Sequence, residues 1–260
     1  RILPRINEEI NEEWISDKTR YACDGLKNQR LDTPYLRDGN KFSKISWTEA
    51  YEIIDNKIKN TNEEKIGCFT GDLTNMETGF IAKEFFNKVI KSNLIDSRAE
   101  NYYVNFSDKQ NYRFNSKILG IEEADLILMI GCNPRYEATI LNSRIRKSYL
   151  KSKLPIYSTN DIGDQTYPYK ILENSTNFIK DIIENKNDLS MEINNSSKPI
   201  IIIGQSILKL KSGKYLFEEL KKFLIKSNKI NENWNAFNLL SKDASTVGSY
   251  DLTLFSTNNG

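Results

Sequence analysis

The sequence predicts an α/β protein of the doubly wound type, with mainly parallel sheets covered by helices on both faces. Three observations carry that expectation. Short, wholly apolar runs at 126–130 and 200–203 have the length and branched character of strands buried on both sides. Those runs alternate with segments whose apolar residues recur at helical spacing. Three of the predicted strands carry Ile-Gly, at 66–67, 130–131 and 203–204, the pattern of a strand that stops and turns. With 260 residues, 38% of them hydrophobic, the chain can bury a substantial core.

Residues 1–45 read as an extended lead-in, irregular in pattern, punctuated by Pro4, Pro34 and an Asp38-Gly39 turn signal. Within it, Glu8, Glu9, Glu12 and Glu13 precede Trp14. At adjacent and helix-turn spacings these acids read as a solvated helical face with Trp14 anchoring the other side, rather than as a metal site. Ser46 and Glu49 then form a capping box, and Trp47, Ala50, Tyr51, Ile54 and Ile58 follow at helical spacing. A strand at 65–70 leads through Gly71 to a second capping box, Thr74 with Glu77, and a helix carrying Ile81, Phe85 and Val89.

A further short strand is expected at 94–98, then a long polar excursion over 99–117 and a strand at 125–130. The pattern continues with a helix at 136–150, a strand at 154–158, a loop with Pro168, a helix at 176–184, a strand at 199–203 and a helix at 213–225. An α/β Rossmann-like domain over 46–184 is expected, then a linker or insertion at 185–198 and an incomplete second α/β portion over 199–260. In that last portion a helix near 234–240 and a strand-like 250–255 are expected, with a frayed tail at 256–260. The chain opens on Arg1 and is expected to be a trimmed or partial product.

Composition excludes several function classes. The formal net charge is +2 with Lys and Arg spread along the chain, so no basic footprint for nucleic acid stands out. The longest apolar runs are far too short to span a bilayer, so no direct membrane insertion is expected. Cys23, Cys68 and Cys132 are odd in number and far apart, which fits neither a disulfide framework nor a zinc or iron–sulfur site, so no metal site is expected. There is no histidine. Ser-His-Asp and Cys-His catalysis and zincin-type sites are thereby removed, and no catalytic residue is assigned.

The candidate binding residues are Gly131, Asn133 and Pro134, at the turn after the 125–130 strand. Ligands of open α/β sheets sit beyond the carboxyl ends of strands, where glycine lets backbone approach a phosphate or ring. Asn can bond a nucleobase, Pro starts a helix, and Arg135 can pair with an anion. The plainer reading is that each glycine eases a turn and Asn-Pro starts a helix. It is favoured, because neither a G-x-G-x-x-G nor a Walker A pattern is present. Arg144, Arg146 and Lys147 read as a solvated face or subunit contact before an anion patch. Asp161 and Asp164 stand where a ribose-binding acid would, but Asp beside Gly163 is ordinary loop chemistry, and that reading is favoured.

Four segments resemble one family: "LPRINEEINEEWISDKTRYACDGLKNQRLDTPYLR", "ISWTEAYEII", "LGIEEADLILMIGCNPRYEATILNSRIRKSYL" and, more weakly, "DASTVGSYDL". The chain is similar to the large iron–sulfur (75 kDa) subunit of respiratory complex I, NADH:quinone oxidoreductase, in its molybdopterin-oxidoreductase-like region. The resemblance implies the domain architecture of formate dehydrogenase and DMSO reductase. It implies iron–sulfur clusters in a region upstream of this chain and no cofactor within it. In molybdenum enzymes of the superfamily the turn matching Gly131 to Pro134 touches a bis-guanine-dinucleotide pterin, and an Asp-Pro-Arg follows the next strand. Here that stretch reads "PIYSTNDIGDQTYPY", without Asp-Pro-Arg. Gly131, Asn133 and Pro134 are then expected to survive as a vestigial pocket in a non-catalytic scaffold. The implied partners are the flavin-bearing NADH-oxidising subunit and neighbouring iron–sulfur subunits. The implied location is the matrix side of the mitochondrial inner membrane or the cytoplasmic face of the bacterial one. The rival reading is an active molybdopterin oxidoreductase such as formate dehydrogenase.

Overall fold

A computed structural model describes residues 2–71, 73–98, 100 and 102–255. The tail expected to fray lies outside these. The chain divides into two compact units: Arg1–Leu3 with Asp17–Ala99 and Gly248–Gly260, and Pro4–Ser16 with Glu100–Val247. This division differs from the expected segments, since it cuts inside 46–184 and leaves 185–198 and most of 199–260 in one unit with 100–184. Periodicity identifies elements one by one, and carries no information about which of them share neighbours.

The first unit begins with the short helix α1 (Asp17–Tyr21) and an antiparallel hairpin, β1 (Tyr35–Asp38) and β2 (Lys41–Lys44), turning at Gly39-Asn40. The lead-in is therefore not wholly extended. Helix α2 (Trp47–Lys59) is capped by Ser46, whose side chain accepts from Glu49 N at 3.1 Å. Strand β3 is only Cys68–Phe69, so Gly67 precedes it and does not end it. Helix α3 (Met76–Phe85) is capped by Asn75, which accepts from Thr78 N at 2.8 Å, one residue after the expected cap. Thr74 instead accepts from Gly71 N at 3.0 Å, closing the preceding turn. After a π-helical turn at Phe86–Ile90, strand β4 (Ile95–Asp96) pairs parallel with β3.

The second unit holds α4 (Lys117–Gly120), β5 (Leu126–Ile130), α5 (Pro134–Glu137), α6 (Thr139–Ser152), β6 (Ile156–Ser158), β7 (Lys170–Ile171), α7 (Thr176–Ile183), α8 (Asp188–Asn195), β8 (Pro199–Gly204), α9 (Gln205–Leu208), α10 (Gly213–Lys226) and β9 (Phe237–Leu240). The five strands form one wholly parallel sheet in the order β7-β6-β5-β8-β9. The chain winds outward from β5 to β7, then returns to the other side of β5 for β8 and β9. That reversal makes the β5–β8 boundary the topological switch point of a doubly wound sheet.

Both faces are covered, as the sequence predicts. Ile127, Met129, Ile200 and Ile202 pack with Leu141 and Ile145 of α6 on one face. Alternation sends Leu128 and Ile201 to the other, where Phe217 of α10 meets Phe237 of β9 edge to face at 4.9 Å. Between them α8 occupies the segment expected as a linker, with Leu189 and Ile193 buried and Asn187 as its cap. Its many Asn and Ser residues masked a two-turn amphipathic helix.

Two further expectations give way. The stretch expected as a helix near 234–240 contains β9, paired to β8 through Phe237 and Ile201. Trp234, Phe237 and Leu240 mimic helical spacing, but the run is too short for periodicity to separate helix from buried strand. The polar Asn238 fits this core because it accepts from Ser116 N at 2.8 Å and donates to Ser116 Oγ at 2.8 Å and Ala236 O at 3.0 Å. The strand-like 250–255 stretch begins in a helix, α11 (Thr246–Asp251), and Leu254 then buries itself in the first unit.

Candidate functional site

Strand β5 ends at the switch point, and its turn is built on glycine. Gly131 has φ +62°, a left-handed conformation that costs a side-chain-bearing residue energy. The space a Cβ would take there is already filled, with Ile207 Cγ1 at 2.5 Å and Ser206 Oγ at 2.6 Å. Across the boundary, a Cβ on Gly204 would collide with the Gly131 carbonyl oxygen. The two Ile-Gly turns thus close on each other, and Ser206 Oγ donates to Gly131 O at 2.5 Å. What glycine permits at this switch point is contact between two backbones.

On the other side of the turn, the loop after β6 folds inward. Gly131 N donates to Thr159 Oγ1 at 3.3 Å. Gln165 is fully buried: its side-chain amide donates to Asn133 Oδ1 at 3.1 Å and to Ile162 O at 2.6 Å, and its Oε1 accepts from Arg135 N at 3.3 Å. Its backbone carbonyl accepts from Asn142 Nδ2 at 3.2 Å, and Tyr167 OH donates to Asn142 Oδ1 at 2.7 Å. Asn133 also donates to Ile162 O at 3.0 Å. Pro134 is buried at the first position of α5, the place where a missing N–H costs least.

The charged candidates are engaged as well. Arg135 donates to Asp164 Oδ2 at 2.8 Å and to the Asp164 carbonyl. Asp164 also accepts from Thr166 N, and these bonds hold its carboxyl below the usual range. Asp161 accepts from Gly163 N at 2.9 Å and Tyr169 OH at 3.0 Å, with the same effect. Cys132 is buried under the turn, and burial pushes its thiol far up, the reverse of an activated nucleophile. Among the described residues no group of three His, Cys, Asp or Glu is placed to hold a metal ion.

Arg144 corrects its expectation most sharply. It is not solvated: its side chain is 3% exposed, and it bonds Glu122 Oε1 at 2.5 Å and Glu12 Oε1 at 3.1 Å. Lys147 joins the same two carboxylates. The acidic run is correspondingly no helical face. Residues 7–14 form a tight turn in which Glu12 N donates to Asn7 O at 2.7 Å, and Trp14 is 56% exposed. Gly131, Asn133, Pro134 and Arg135 lie together at one turn. Thr159, Gln165 and Tyr167 reach it from a polar loop that carries no spacing signal, and nothing local marks the pairing of Arg144 with Glu12.

Residues 30–260 match the family model described as Molybdopterin oxidoreductase. The chain belongs to the molybdopterin oxidoreductase family. Residues 1–24 match a second model, the NADH-ubiquinone oxidoreductase NDSU1/NuoG-like 4Fe-4S domain, so the lead-in carries part of that domain's own pattern. The resemblance seen in the sequence is borne out. The chain is 38% identical to an NADH-quinone oxidoreductase subunit of Rickettsia bellii, over 97% of this chain and 37% of the relative. It is likewise 38% identical to the NADH-ubiquinone oxidoreductase 75 kDa subunit of Reclinomonas americana, over 99% of this chain and 39% of the relative. The mitochondrial NADH-ubiquinone oxidoreductase 78 kDa subunit of Candida albicans gives 38% over 97% of this chain and 35% of the relative. The chain thus spans little more than a third of the length of these relatives.

A pterin dinucleotide does not fit the Gly131 turn of this molybdopterin oxidoreductase family member. The volume beside the glycine is occupied by Ser206 and Ile207, and the Asn133 amide and the Arg135 guanidinium are bonded to the loop after β6. A cofactor seated there would have to displace Ser206 and Ile207 and break the hydrogen bonds that tie Asn133 and Arg135 to the loop after β6.

Proposed function

We propose that this chain is a cofactor-free structural scaffold within the large iron–sulfur subunit of a proton-pumping NADH:quinone oxidoreductase, supporting electron transfer from NADH to quinone without taking part in it. The observation that carries the reading is the Gly131 turn, whose backbone and side-chain groups are consumed by Thr159, Gln165, Ser206 and Ile207 of the same chain. Gly131, Asn133 and Pro134 are in this reading relics that now brace the fold. The similarity to the bacterial NADH-quinone oxidoreductase subunit and to the 75 and 78 kDa NADH-ubiquinone oxidoreductase subunits supports the choice of complex. The match of residues 1–24 supports iron–sulfur clusters elsewhere in the same subunit.

A scaffold needs surfaces for its neighbours. Exposed apolar side chains, among them Phe69, Leu73, Tyr136 and Tyr21, are more than such a domain keeps without reason. The proposed neighbours are the flavin-bearing NADH-oxidising subunit and adjoining iron–sulfur subunits, in a peripheral arm on the matrix side of the mitochondrial inner membrane or the cytoplasmic face of the bacterial one. No helix among the described residues is long and apolar enough to cross a membrane, so attachment in this reading runs through those partners. Sedimentation of the purified chain with purified peripheral-arm subunits tests the proposal. Co-sedimentation with one of these subunits is expected, and independent migration from all of them would contradict it.

A further inference from the structure

One buried cation, Arg144, is bonded to three residues of the stretch that matches the iron–sulfur-domain model. Arg144 lies on α6, in the second unit, with its guanidinium withdrawn from solvent. A guanidinium has five donors and cannot shed its charge, so burial is tolerable only where acceptors surround it. Four acceptors do so: Glu122 Oε1 at 2.5 Å, Glu12 Oε1 at 3.1 Å, Ile10 O at 3.4 Å and the Glu8 carbonyl. Three of the four come from residues 8–12.

Ile6, Ile10 and Trp14 are exposed, and the turn's own bonds, such as Asn11 N to Asn7 O at 3.0 Å, fix its shape without fixing it to anything else. Lys147, one turn along α6, donates to Glu12 and to Glu122 at 3.0 Å, so two cations and two carboxylates close a ring. Residues 1–24 match the model of an iron–sulfur domain, and Arg144, which holds residues 8, 10 and 12 of that stretch, lies in the part matched by the other family model.

We infer that Arg144 is the joint between the iron–sulfur-domain segment and the α/β scaffold, with Glu12 as the segment's ligand to it, Glu122 as the scaffold's counter-ion and Lys147 closing the ring. The inference rests on the scaffold reading. In this arrangement the positive face of α6 and the acidic turn together fix where residues 8–12 sit. The charge is matched only when both parts are present.

Amide hydrogen exchange on the full chain, read separately over residues 7–14 and over β5 and β8, tests it. Arg144→Met should speed exchange of the hydrogen-bonded amides of Ile10, Asn11, Glu12 and Trp14 by about a hundredfold while the two core strands keep their protection. Should that variant fold poorly, Glu12→Gln leaves Arg144 paired with Glu122 and should still speed exchange over 7–14 by about tenfold. Unchanged exchange over 7–14 in both variants, or equal acceleration there and in β5 and β8, would overturn the joint. Either result is separable from the scaffold reading, which falls on finding a bound pterin or molybdenum and is untouched by exchange rates.

Discussion

Helices α2 and α10 are drawn alike in the sequence, each with an apolar stripe on one face, and they end in opposite surroundings. In α10, Leu216, Phe217, Leu220 and Leu224 are all at most 3% exposed. In α2, Trp47, Tyr51 and Ile54 are each more than half exposed. The difference lies in what each unit offers as a floor. Helix α10 belongs to a unit with a five-stranded sheet whose central strands are five and six residues long. Helix α2 belongs to a unit whose parallel strands have two residues each. An amphipathic pattern says which face of a helix will be buried once a partner is present, and it does not supply the partner. At roughly 1.5–3 kcal/mol for each large side chain buried, the second unit carries most of the stability.

The largest effect therefore separates the units. Ile202→Ala, which opens a cavity in the fully buried β8, should cost about 4 kcal/mol in denaturant unfolding, whereas Tyr51→Ala on the exposed stripe of α2 should cost less than about 0.5 kcal/mol. Similar losses from both would mean that α2 is packed as tightly as β8. Next comes the switch point. Gly204→Ala sets a methyl against the Gly131 carbonyl, a backbone atom that cannot rotate away, and should cost about 3 kcal/mol. A neutral result would show that the two turns separate easily, leaving room for a ligand.

Smaller again, Gln165→Ala strips partners from Asn133 Oδ1, Ile162 O and Arg135 N and should cost about 2 kcal/mol by the same assay. The smallest effect is a pH dependence confined to the second unit. Burial raises the Glu122 carboxyl, but hydrogen bonds and charge from Lys147 and Arg144 outweigh it, so the folded value lies below the ordinary 4.5. A depressed carboxyl contributes stability that is present above the unfolded value and lost as pH falls through the folded one. Stability of the wild-type chain should thus decline on acidification below about pH 4.5 more steeply than that of Glu122→Gln, an order that thermal melts across this range would check.

How much of this was legible depends on how far apart the cooperating residues lie. Strands β5 and β8 announced themselves because burial on both faces leaves nothing polar in the run, and Ser46 marked the start of α2 because a cap acts within three residues. Strand β9 did not, since Asn238 interrupts it and is satisfied by Ser116, 122 residues earlier. At the site, Gly131 and Pro134 stood out because a turn is a local object. Gln165 and Arg144 did not, because a polar loop residue and a helix arginine look solvated until partners 32 and 132 residues away are brought beside them. The sequence marked a turn at Gly131, and only the packed chain shows which side chains surround it.

The central claim is that this turn is closed by the protein's own side chains and holds no cofactor. Its most direct test is elemental analysis of the purified, folded chain for molybdenum and tungsten, together with fluorescence of any released pterin. The account predicts neither metal nor pterin above background. Stoichiometric metal and pterin would contradict it and restore Gly131 to Arg135 as a working cofactor turn.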